Sequence, residues 1–512
     1  MFIFENMKYP VGIQDFRELR TEGYVYIDKT RHIHQIVTQG KNFFLSRPRR
    51  FGKSLLLSTM NELYSGSHEL FEGLWVEKQW DWEGMRRPVV WLRISQTDYQ
   101  NKGLYQALQD EMLAIAQTLN VDLESETLKD RFRELIRKAG GEKKTVLLID
   151  EYDKPIIDYL DEPEKAEQHR DILKSFYSVL KDSDPHLELV FITGVSAFSK
   201  VSIFSDLNNL YNLSIARSAQ TLLGITQQEL EHYFAGPLSQ VDAQKVRRWY
   251  NGYGWGGEDK LYNPYSILSF FKGGGQYNNF WFETGTPTFL VKEMKRRDYY
   301  NVRRMEVSQH KLTAFDITRL DPISVLFQTG YLTILQYVPE DNLYTLDYPN
   351  MEVRQSLEQH LLYEYLEAPI EDPLAGVVKL RNALQRGDIE GMVKVINAVF
   401  ASLPYDLWKA NDERFFHAIV HLTFSLLGTY IRSEVHSSRG RCDAIVETEQ
   451  HLYALEFKLD KPAAEALQQI EDKGYLEPYA DSDKERLAVG VSFSSEERKV
   501  VDWVVKDSES LF

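Results

Sequence analysis

The 512-residue sequence contains one cysteine and no long apolar run. A single cysteine, Cys442, excludes an internal disulfide framework and any zinc site built from several thiolates. No stretch of about 18 apolar residues occurs, so we expect no membrane-spanning helix. The N-terminal residues show no basic start followed by an apolar run, so we expect no secretion signal. These absences predict a cytoplasmic protein without a membrane partner.

Basic residues are outnumbered by acidic ones, 60 to 76, and the formal net charge is −16 at pH 7. A chain this acidic is not expected to adhere generally to nucleic acid or to anionic lipid. A local basic groove remains compatible with that charge, since phosphate binding depends on where Lys and Arg lie. A nucleic-acid substrate must therefore be argued from a site.

The first part of the chain alternates between short apolar runs and helical stretches. Four runs have the composition of buried strands: residues 42–45, 89–94, 145–149 and 187–193. Three stretches have helical periodicity: residues 53–63, 104–119 and 128–138. Strands that alternate with helices predict a parallel sheet covered on both faces. We assign residues 1–225 to this α/β domain.

The remaining chain divides into three further segments. Residues 226–285, with glycine-rich loops, predict a small helical or winged appendage. Residues 286–427 are mostly helical, with a hairpin expected at 330–335 and 344–346. Residues 428–512 return to α/β character. The fold class predicted for the whole chain is therefore α/β, with a helical middle region.

A phosphate-loop pattern lies between the first strand and its helix. The segment is Arg47-Pro48-Arg49-Arg50-Phe51-Gly52-Lys53-Ser54. Against G-x-x-x-x-G-K-[ST], Arg47 replaces the first glycine and the rest is present. Backbone N–H groups at a helix start bind phosphate, the lysine reaches the β- and γ-phosphates, and the hydroxyl binds Mg²⁺. We expect Arg50, Phe51, Gly52, Lys53 and Ser54 to bind nucleotide; the alternative is a basic loop.

An acidic strand end supports the nucleotide interpretation. Asp150 and Glu151 end the strand at 145–149; Asp150 would hold Mg²⁺, mostly through water, and Glu151 would polarise the attacking water. Thr193 ends a further strand and either senses the γ-phosphate or serves as a turn residue. Arg217 is more readily explained as a surface charge than as a sensor. The loop and the acidic strand end, in this order, together predict ATP binding with hydrolysis.

A second group of charges lies near the C-terminus, in the pattern D-x₁₂-E-x-K of Asp443, Glu456 and Lys458. Side chains two apart on a strand share a face, so Glu456 and Lys458 should point the same way. A hairpin would bring Asp443 beside them, and Glu434 would add a ligand from a preceding helix end. Carboxylate oxygens suit Mg²⁺, and a lysine can hold a developing oxyanion. The alternative is a solvated hairpin with a Glu/Lys pair.

The chain resembles the bacterial "AAA-ATPase-like" family in five runs. They are Pro10-Val11-Gly12-Ile13-Gln14-Asp15-Phe16, Tyr26-Ile27-Asp28-Lys29-Thr30, Ser46-Arg47-Pro48-Arg49-Arg50-Phe51-Gly52-Lys53-Ser54, Trp249-Tyr250-Asn251-Gly252-Tyr253 and Tyr262-Asn263-Pro264-Tyr265-Ser266. Arg47 resembles the family's own variant of the phosphate loop. Members typically join the ATPase to a C-terminal domain of the PD-(D/E)XK nuclease superfamily. The resemblance therefore implies a restriction-endonuclease-like fold for the last segment.

The resemblance also extends to the helix after Lys458. Residues 467–475 are similar to the helix with Gln and Tyr that follows the catalytic lysine of related nucleases. This similarity implies that Gln469 orients Lys458 or the phosphate and that Tyr475 packs nearby or touches the strand. Asp443, Glu456, Lys458 and Gln469 are then the expected catalytic residues.

These patterns predict an ATP-binding protein whose nuclease domain cleaves nucleic acid under nucleotide control. DNA is the expected substrate, on the resemblance rather than on any base-reading feature. The expected cofactors are ATP and Mg²⁺, with Mn²⁺ as a second ion for the nuclease site, and the chain can form a homo-oligomer. Two alternatives stay open: a regulatory switch whose C-terminal domain binds without cleaving, and an ATP-driven remodeller of proteins.

Overall fold

The computed structural model describes residues 7–196, 204, 209–256, 258–281, 288–313, 321–366, 373–401, 413–428, 432–435 and 443–507. The chain divides into two compact units. The first contains Met1–Gly285 and Arg303–Val353, and the second contains Thr286–Val302 and Arg354–Phe512. The four segment boundaries expected from the sequence stay a prediction.

A five-stranded sheet forms the centre of the first unit. Its strands are β1 (Asn42–Ser46), β2 (Val89–Arg93), β3 (Thr145–Asp150), β4 (Leu187–Gly194) and β5 (Tyr211–Asn212). They lie in the order β2-β3-β4-β1-β5, and every neighbouring pair is parallel. Each residue of β1 and β3 is buried, as expected of a parallel sheet with two covered faces. The four strands predicted from apolar runs are confirmed.

Nine helices are described around this sheet. They are α1 (Phe16–Thr21), α2 (Thr30–Val37), α3 (Lys53–Ser65), α4 (Tyr99–Lys102), α5 (Leu104–Thr118), α6 (Leu128–Gly140), α7 (Lys154–Ile157), α8 (Pro163–Tyr177) and α9 (Val179–Asp182). Helices α3, α5 and α6 confirm the predicted ones. Leu57 and Met60 of α3 belong to one buried cluster with Val146, Leu148 and Phe191 of the sheet. This packing fixes the start of α3 beside the strand ends.

The segment after β5 forms a small sheet with short helices, as its glycine-rich loops suggested. It contains β6 (Ile225–Thr226), α10 (Gln227–Tyr233), α11 (Ala235–Leu238), α12 (Ala243–Tyr250), β7 (Asn251–Tyr253), β8 (Leu261–Tyr262) and α13 (Pro264–Lys272). The strands pair antiparallel in the order β6-β8-β7. Gly252 has a φ of 142°, and a Cβ there would lie 1.7 Å from the carbonyl oxygen of Pro349. Only glycine permits that approach.

The middle of the chain contributes to both units. Its elements are α14 (Thr288–Arg296), β9 (Met305–Ser308), α15 (Gln309–Thr313), α16 (Pro322–Thr329), β10 (Thr333–Val338) and β11 (Leu343–Asp347). Strands β10 and β11 form the predicted hairpin, and β9 pairs with the far side of β11. The helical character predicted for this region continues in α17 (Met351–Leu366), α18 (Pro373–Gln385), α19 (Ile389–Ala401) and α20 (Glu413–Leu427).

A second five-stranded sheet completes the second unit. Its elements are β12 (Arg432–Val435), β13 (Ala444–Glu447), β14 (His451–Leu459), α21 (Ala463–Asp472), β15 (Glu485–Ser494) and β16 (Lys499–Asp507). The order is β12-β13-β14-β15-β16, with β14 and β15 parallel and the other pairs antiparallel. Helix α21 connects the two parallel strands. Among all helices described, none combines the length and the apolar character that a membrane crossing requires.

A buried ion pair connects the N-terminal segment of the first unit to the start of α10. Lys29 Nζ lies 2.6 and 2.7 Å from the two carboxylate oxygens of Glu229 and donates to the Thr221 carbonyl oxygen at 2.9 Å. Burial lowers the pKa of Lys29, and the Glu229 charge opposes that effect. Removing one partner of a buried pair leaves the other charge without compensation.

We expect Lys29→Met to destabilise the first unit by up to about 3 kcal/mol, because the partly buried Glu229 would lose its cation. The readout is the midpoint of urea unfolding for the first unit. The double variant Lys29→Met/Glu229→Leu should recover part of the loss. The exposed pair Lys102–Asp110 gives the matched control, since Lys102→Met should leave the midpoint close to that of the wild type. Equal midpoints for the two single variants would contradict the prediction.

Candidate active sites

The strand order of the first sheet brings the predicted phosphate loop and the acidic strand end together. Strand β4 lies between β1 and β3, and carboxyl ends of parallel strands meet at one edge of a sheet. Thr193, near the end of β4, donates its hydroxyl hydrogen bond to Asp150 Oδ1 at 2.6 Å. Ser54, in the first turn of α3, lies close enough to Asp150 for its hydroxyl to lower the pKa of that carboxyl group. Hydroxyls from both neighbouring elements therefore act on one carboxylate.

The phosphate loop turns through two left-handed residues and leads directly into α3. Arg50 has a φ of 66° and Gly52 a φ of 92°, and α3 begins at Lys53. Lys53 Nζ donates to the carbonyl oxygens of Arg47 and Pro48, both at 2.9 Å. Burial lowers the pKa of Lys53, while the carboxylates of the acidic strand end oppose that effect. The ammonium is thus buried under the loop, where a phosphate group would complete its environment.

Arg47, which replaces the first glycine of the motif, points into the protein. Its guanidinium donates to the carbonyl oxygens of Ser46 at 2.9 Å, Ser214 at 2.7 Å and Ala219 at 3.1 Å. It also stacks on Trp255, with 4.0 Å between the guanidinium carbon and the ring centroid. Burial lowers the pKa of this guanidinium. Arg47 therefore anchors the start of the loop and leaves the turn itself to other residues.

The acidic strand end carries three carboxylates in different environments. Burial raises the pKa of Asp150, and the hydroxyls of Ser54 and Thr193 oppose that rise. Glu151 is half-buried and has a φ of 54°, a disfavoured conformation for a residue with a side chain. Asp153 accepts hydrogen bonds from the backbone N–H groups of Val195 and Ser196 at 3.1 and 2.6 Å. The third acid, which the sequence interpretation missed, thus fixes the chain that follows β4.

A cleft of about 390 Å³ opens beside the loop, a volume that suits a nucleotide. Its lining residues are Pro10, Gly12, Ile13, Gln14, Arg49, Arg50, Gly52, Lys53, Ser54, Leu55, Ser95, Glu151, Lys154, Pro264, Tyr265 and Leu268. Most of the predicted nucleotide-binding residues are among them. Phe51 is buried instead against Tyr253 and Trp255, with ring centroids 4.8 and 5.4 Å away. The lining residues within 10–14, together with Pro264 and Tyr265 of α13, belong to two of the runs that carried the family resemblance.

Besides Phe51, the predicted residues Asp150 and Thr193 do not line the cleft, because both are buried at the strand ends. The surface charge Arg217 is exposed, outside the cleft lining. Ser54 and Asp150 supply adjacent hard oxygen atoms, the ligand chemistry that Mg²⁺ prefers. The first site therefore fits a magnesium–triphosphate pair in its chemistry.

The second site is a hydrogen-bonded cluster formed by β14, by the residue before β13 and by α21. Lys458 Nζ lies 3.0 Å from Glu456 Oε1, which confirms that the two side chains share a face. The amide of Gln469 on α21 bridges them, donating to Glu456 Oε1 at 2.5 Å and accepting from Lys458 Nζ at 2.7 Å. Asp443, which precedes β13, accepts from the Phe457 N–H at 2.8 Å and donates its own N–H to Glu456 Oε2 at 3.3 Å.

The electrostatics of this cluster favour a bound cation. Burial raises the pKa of Glu456 to about 7, the nearby Asp443 charge adds to the rise, and Lys458 opposes it. A carboxyl group whose pKa is raised by a neighbouring carboxylate is stabilised in its charged form when a divalent cation binds beside both. Asp443 and Glu456 supply two carboxylates, and among the described residues no three or more His, Cys, Asp and Glu side chains are grouped so as to hold a metal ion. The donor set fits a Mg²⁺ or Mn²⁺ ion that keeps water or phosphate ligands.

The expected position of Glu434 is wrong in one respect. It lies within β12, paired with Ile445 of β13, and not at a helix end, because the chain after α20 becomes extended before the hairpin. Its side chain and residues 436–442, including Cys442, lie outside the described residues.

Two residues of this site were missed. Gly490 pairs with Glu456 across β14 and β15, and a Cβ there would lie 2.3 Å from the Ala463 carbonyl oxygen. Its absence lets α21 lie directly on the sheet, so that Gln469 can reach the cluster. Tyr300 also belongs here: burial raises its pKa, and the charges of Asp298 and Asp443 add to the rise. An isolated glycine in a strand pattern could have indicated the first; no local signal indicated Tyr300.

Comparison with known proteins identifies two matching families and a relative. Residues 10–204 match the family described as predicted AAA-ATPase, and residues 411–503 match the PD-(D/E)XK nuclease superfamily. A relative from Azotobacter chroococcum mcd 1, described as "Uncharacterized protein in vnfD 5'region", is 40% identical over 520 residues. The alignment covers 98% of this chain and 99% of the relative. The similarity therefore extends over both units.

Proposed function

The chain belongs to the predicted AAA-ATPase family and carries a domain of the PD-(D/E)XK nuclease superfamily, and from this premise we propose that it is a nucleotide-controlled, metal-dependent nuclease. The observation that carries the proposal is the single cluster formed by Asp443, Glu456, Lys458 and Gln469. A solvated hairpin would not bury one of its carboxylates and enclose the lysine between two polar partners.

In the proposed nuclease site, Asp443 and Glu456 would hold a Mg²⁺ or Mn²⁺ ion, with Glu434 as the expected third ligand. When bound, such an ion would lower the pKa of a water molecule and stabilise negative charge on the phosphate. Lys458 stabilises the negative charge that develops on the attacked phosphate, and Gln469 keeps its ammonium directed at the site. DNA is the proposed substrate, following the nuclease superfamily.

In the proposed ATPase site, the loop backbone from Arg50 to Gly52 faces the phosphates at the start of α3. Lys53 leaves its carbonyl partners and contacts the β- and γ-phosphates. Ser54 and Asp150 would hold Mg²⁺, Thr193 keeps Asp150 in place, and Glu151 orients the attacking water. The half-buried Glu151 faces the cleft, as this role requires.

We expect Mg²⁺- or Mn²⁺-dependent cleavage of plasmid or linear DNA that falls about 10²–10³-fold in Lys458→Ala, because one group stabilising the transition state is lost. Asp443→Asn should abolish cleavage, and chelation with EDTA should do the same to the wild type. The measurement is the initial rate of product formation on gels.

The matched control is Lys484→Ala. Lys484 pairs with Glu447 at 2.9 Å in the same sheet but outside the cluster, so the cleavage rate should stay at the wild-type level. A wild type as inert as Asp443→Asn, under every ion tested, would instead favour a domain that binds without cleaving.

We expect Lys53→Ala to lower the affinity for Mg·ATP at least about 100-fold, because a charge-assisted contact to two phosphates and a buried cation are lost together. Calorimetric titration gives the dissociation constants. The exposed Lys102→Ala variant serves as the control and should bind as the wild type does. Retained binding in Lys53→Ala would remove the phosphate-loop assignment.

Nucleotide control is tested by measuring DNA cleavage with ATP, with a non-hydrolysable analogue and without nucleotide. We expect the rates to differ severalfold in the wild type and to become equal in Lys53→Ala. Equal rates in the wild type would contradict the proposed control while leaving both sites intact. ATP hydrolysis stimulated by a protein and not by DNA would favour the remodeller.

A further inference from the structure

Two arginine side chains of the phosphate loop have no acidic partner among the described residues. Arg49 is half-buried and Arg50 is exposed, and both line the nucleotide cleft. Within the part of the chain that the structure describes, neither guanidinium forms an ion pair or donates a hydrogen bond. The neighbouring Lys154 of the same cleft differs, because its ammonium lies 2.9 Å from the Asp158 carboxylate. Two guanidinium groups that line the same cleft as Lys53 without a carboxylate partner point to a ligand with several negative charges.

Arg50 occupies a backbone conformation that would suit glycine better than arginine. A φ of 66° is the left-handed conformation, which glycine adopts freely and arginine does not. The turn itself would form more easily with glycine at this position. The Arg50 side chain extends over Tyr265, with the guanidinium carbon 5.0 Å from the ring centroid. Tyr265, which also lines the cleft, therefore holds the guanidinium at the cleft wall.

The position of Arg49 agrees with the same ligand. Arg49 lines the same cleft as Lys53, so both cations face the same space. Like charges repel, so an anion bound beside Arg49 and Lys53 would stabilise both. A triphosphate brings more negative charge into the cleft than a diphosphate does, and guanidinium groups bind phosphate oxygens in pairs.

We propose that Arg49 and Arg50 bind the terminal phosphate of the nucleotide and thereby distinguish a nucleoside triphosphate from a diphosphate. The positive charge that contacts the terminal phosphate then comes from the phosphate loop of the same chain. The inference rests on the proposed nucleotide site and adds its selectivity. Arg50 acts with Tyr265 as its positioning residue. The competing arrangement takes the arginine from a second copy of the chain, for which the exposed Arg217 is the candidate.

The decisive variant is Arg50→Gly, because it removes the guanidinium and relieves the backbone strain at once. We expect its thermal midpoint to equal or exceed that of the wild type, while its affinity for Mg·ATP falls about tenfold and its affinity for Mg·ADP is unchanged. Arg49→Ala should give the same selective loss. Tyr265→Phe should keep the preference for the triphosphate, and Tyr265→Leu should weaken it.

Calorimetry with both nucleotides is combined with ATP turnover per chain over a hundredfold range of protein concentration. A constant turnover, unchanged in Arg217→Ala, supports the proposal. Turnover that rises with concentration and disappears in Arg217→Ala overturns it in favour of the second copy. Equal affinities of the wild type and Arg50→Gly for ATP overturn this inference alone. Absence of any nucleotide binding in the wild type removes the nucleotide site itself and the inference with it.

Discussion

The parallel insertion of β4 between β1 and β3 is the constraint on which the first site depends. It fixes three strand ends at one edge of the sheet, so that a hydroxyl of β4 reaches the carboxylate of β3 while the loop after β1 turns into α3. Residues more than 90 positions apart in sequence thereby become neighbours. The second site also depends on a parallel pair, because α21 joins the strands β14 and β15 and places Gln469 beside Glu456 and Lys458 of β14.

Both sites contain buried charge that the protein compensates only in part. In the first, Lys53 is held by carbonyl oxygens and not by a carboxylate. In the second, Glu456 and Asp443 lie together, with Lys458 as the nearby cation. Incomplete compensation is unfavourable for folding and is expected where a ligand of opposite charge binds. The two sites thus differ in the charge of the ligand they suit: the loop around Lys53 suits an anionic phosphate, and the carboxylates of the second site suit a cation.

Local patterns in the sequence were enough for the strands, for α3 and for the pairing of Glu456 with Lys458, because periodicity and turn chemistry act over a few residues. Contacts between distant segments were not accessible in this way. Glu434 was expected at a helix end and lies in β12, since a four-residue strand has too little pattern to be recognised. Gly490 and Tyr300 matter through packing against elements that the sequence alone does not bring near them.

Arg47 also has a consequence for how the protein is made. Two of the three carbonyl groups that hold its guanidinium, and the indole ring, come from residues 214–219 and from Trp255, beyond the end of the family match at residue 204. During synthesis, these contacts to Arg47 can therefore form only after the chain has been made past Trp255.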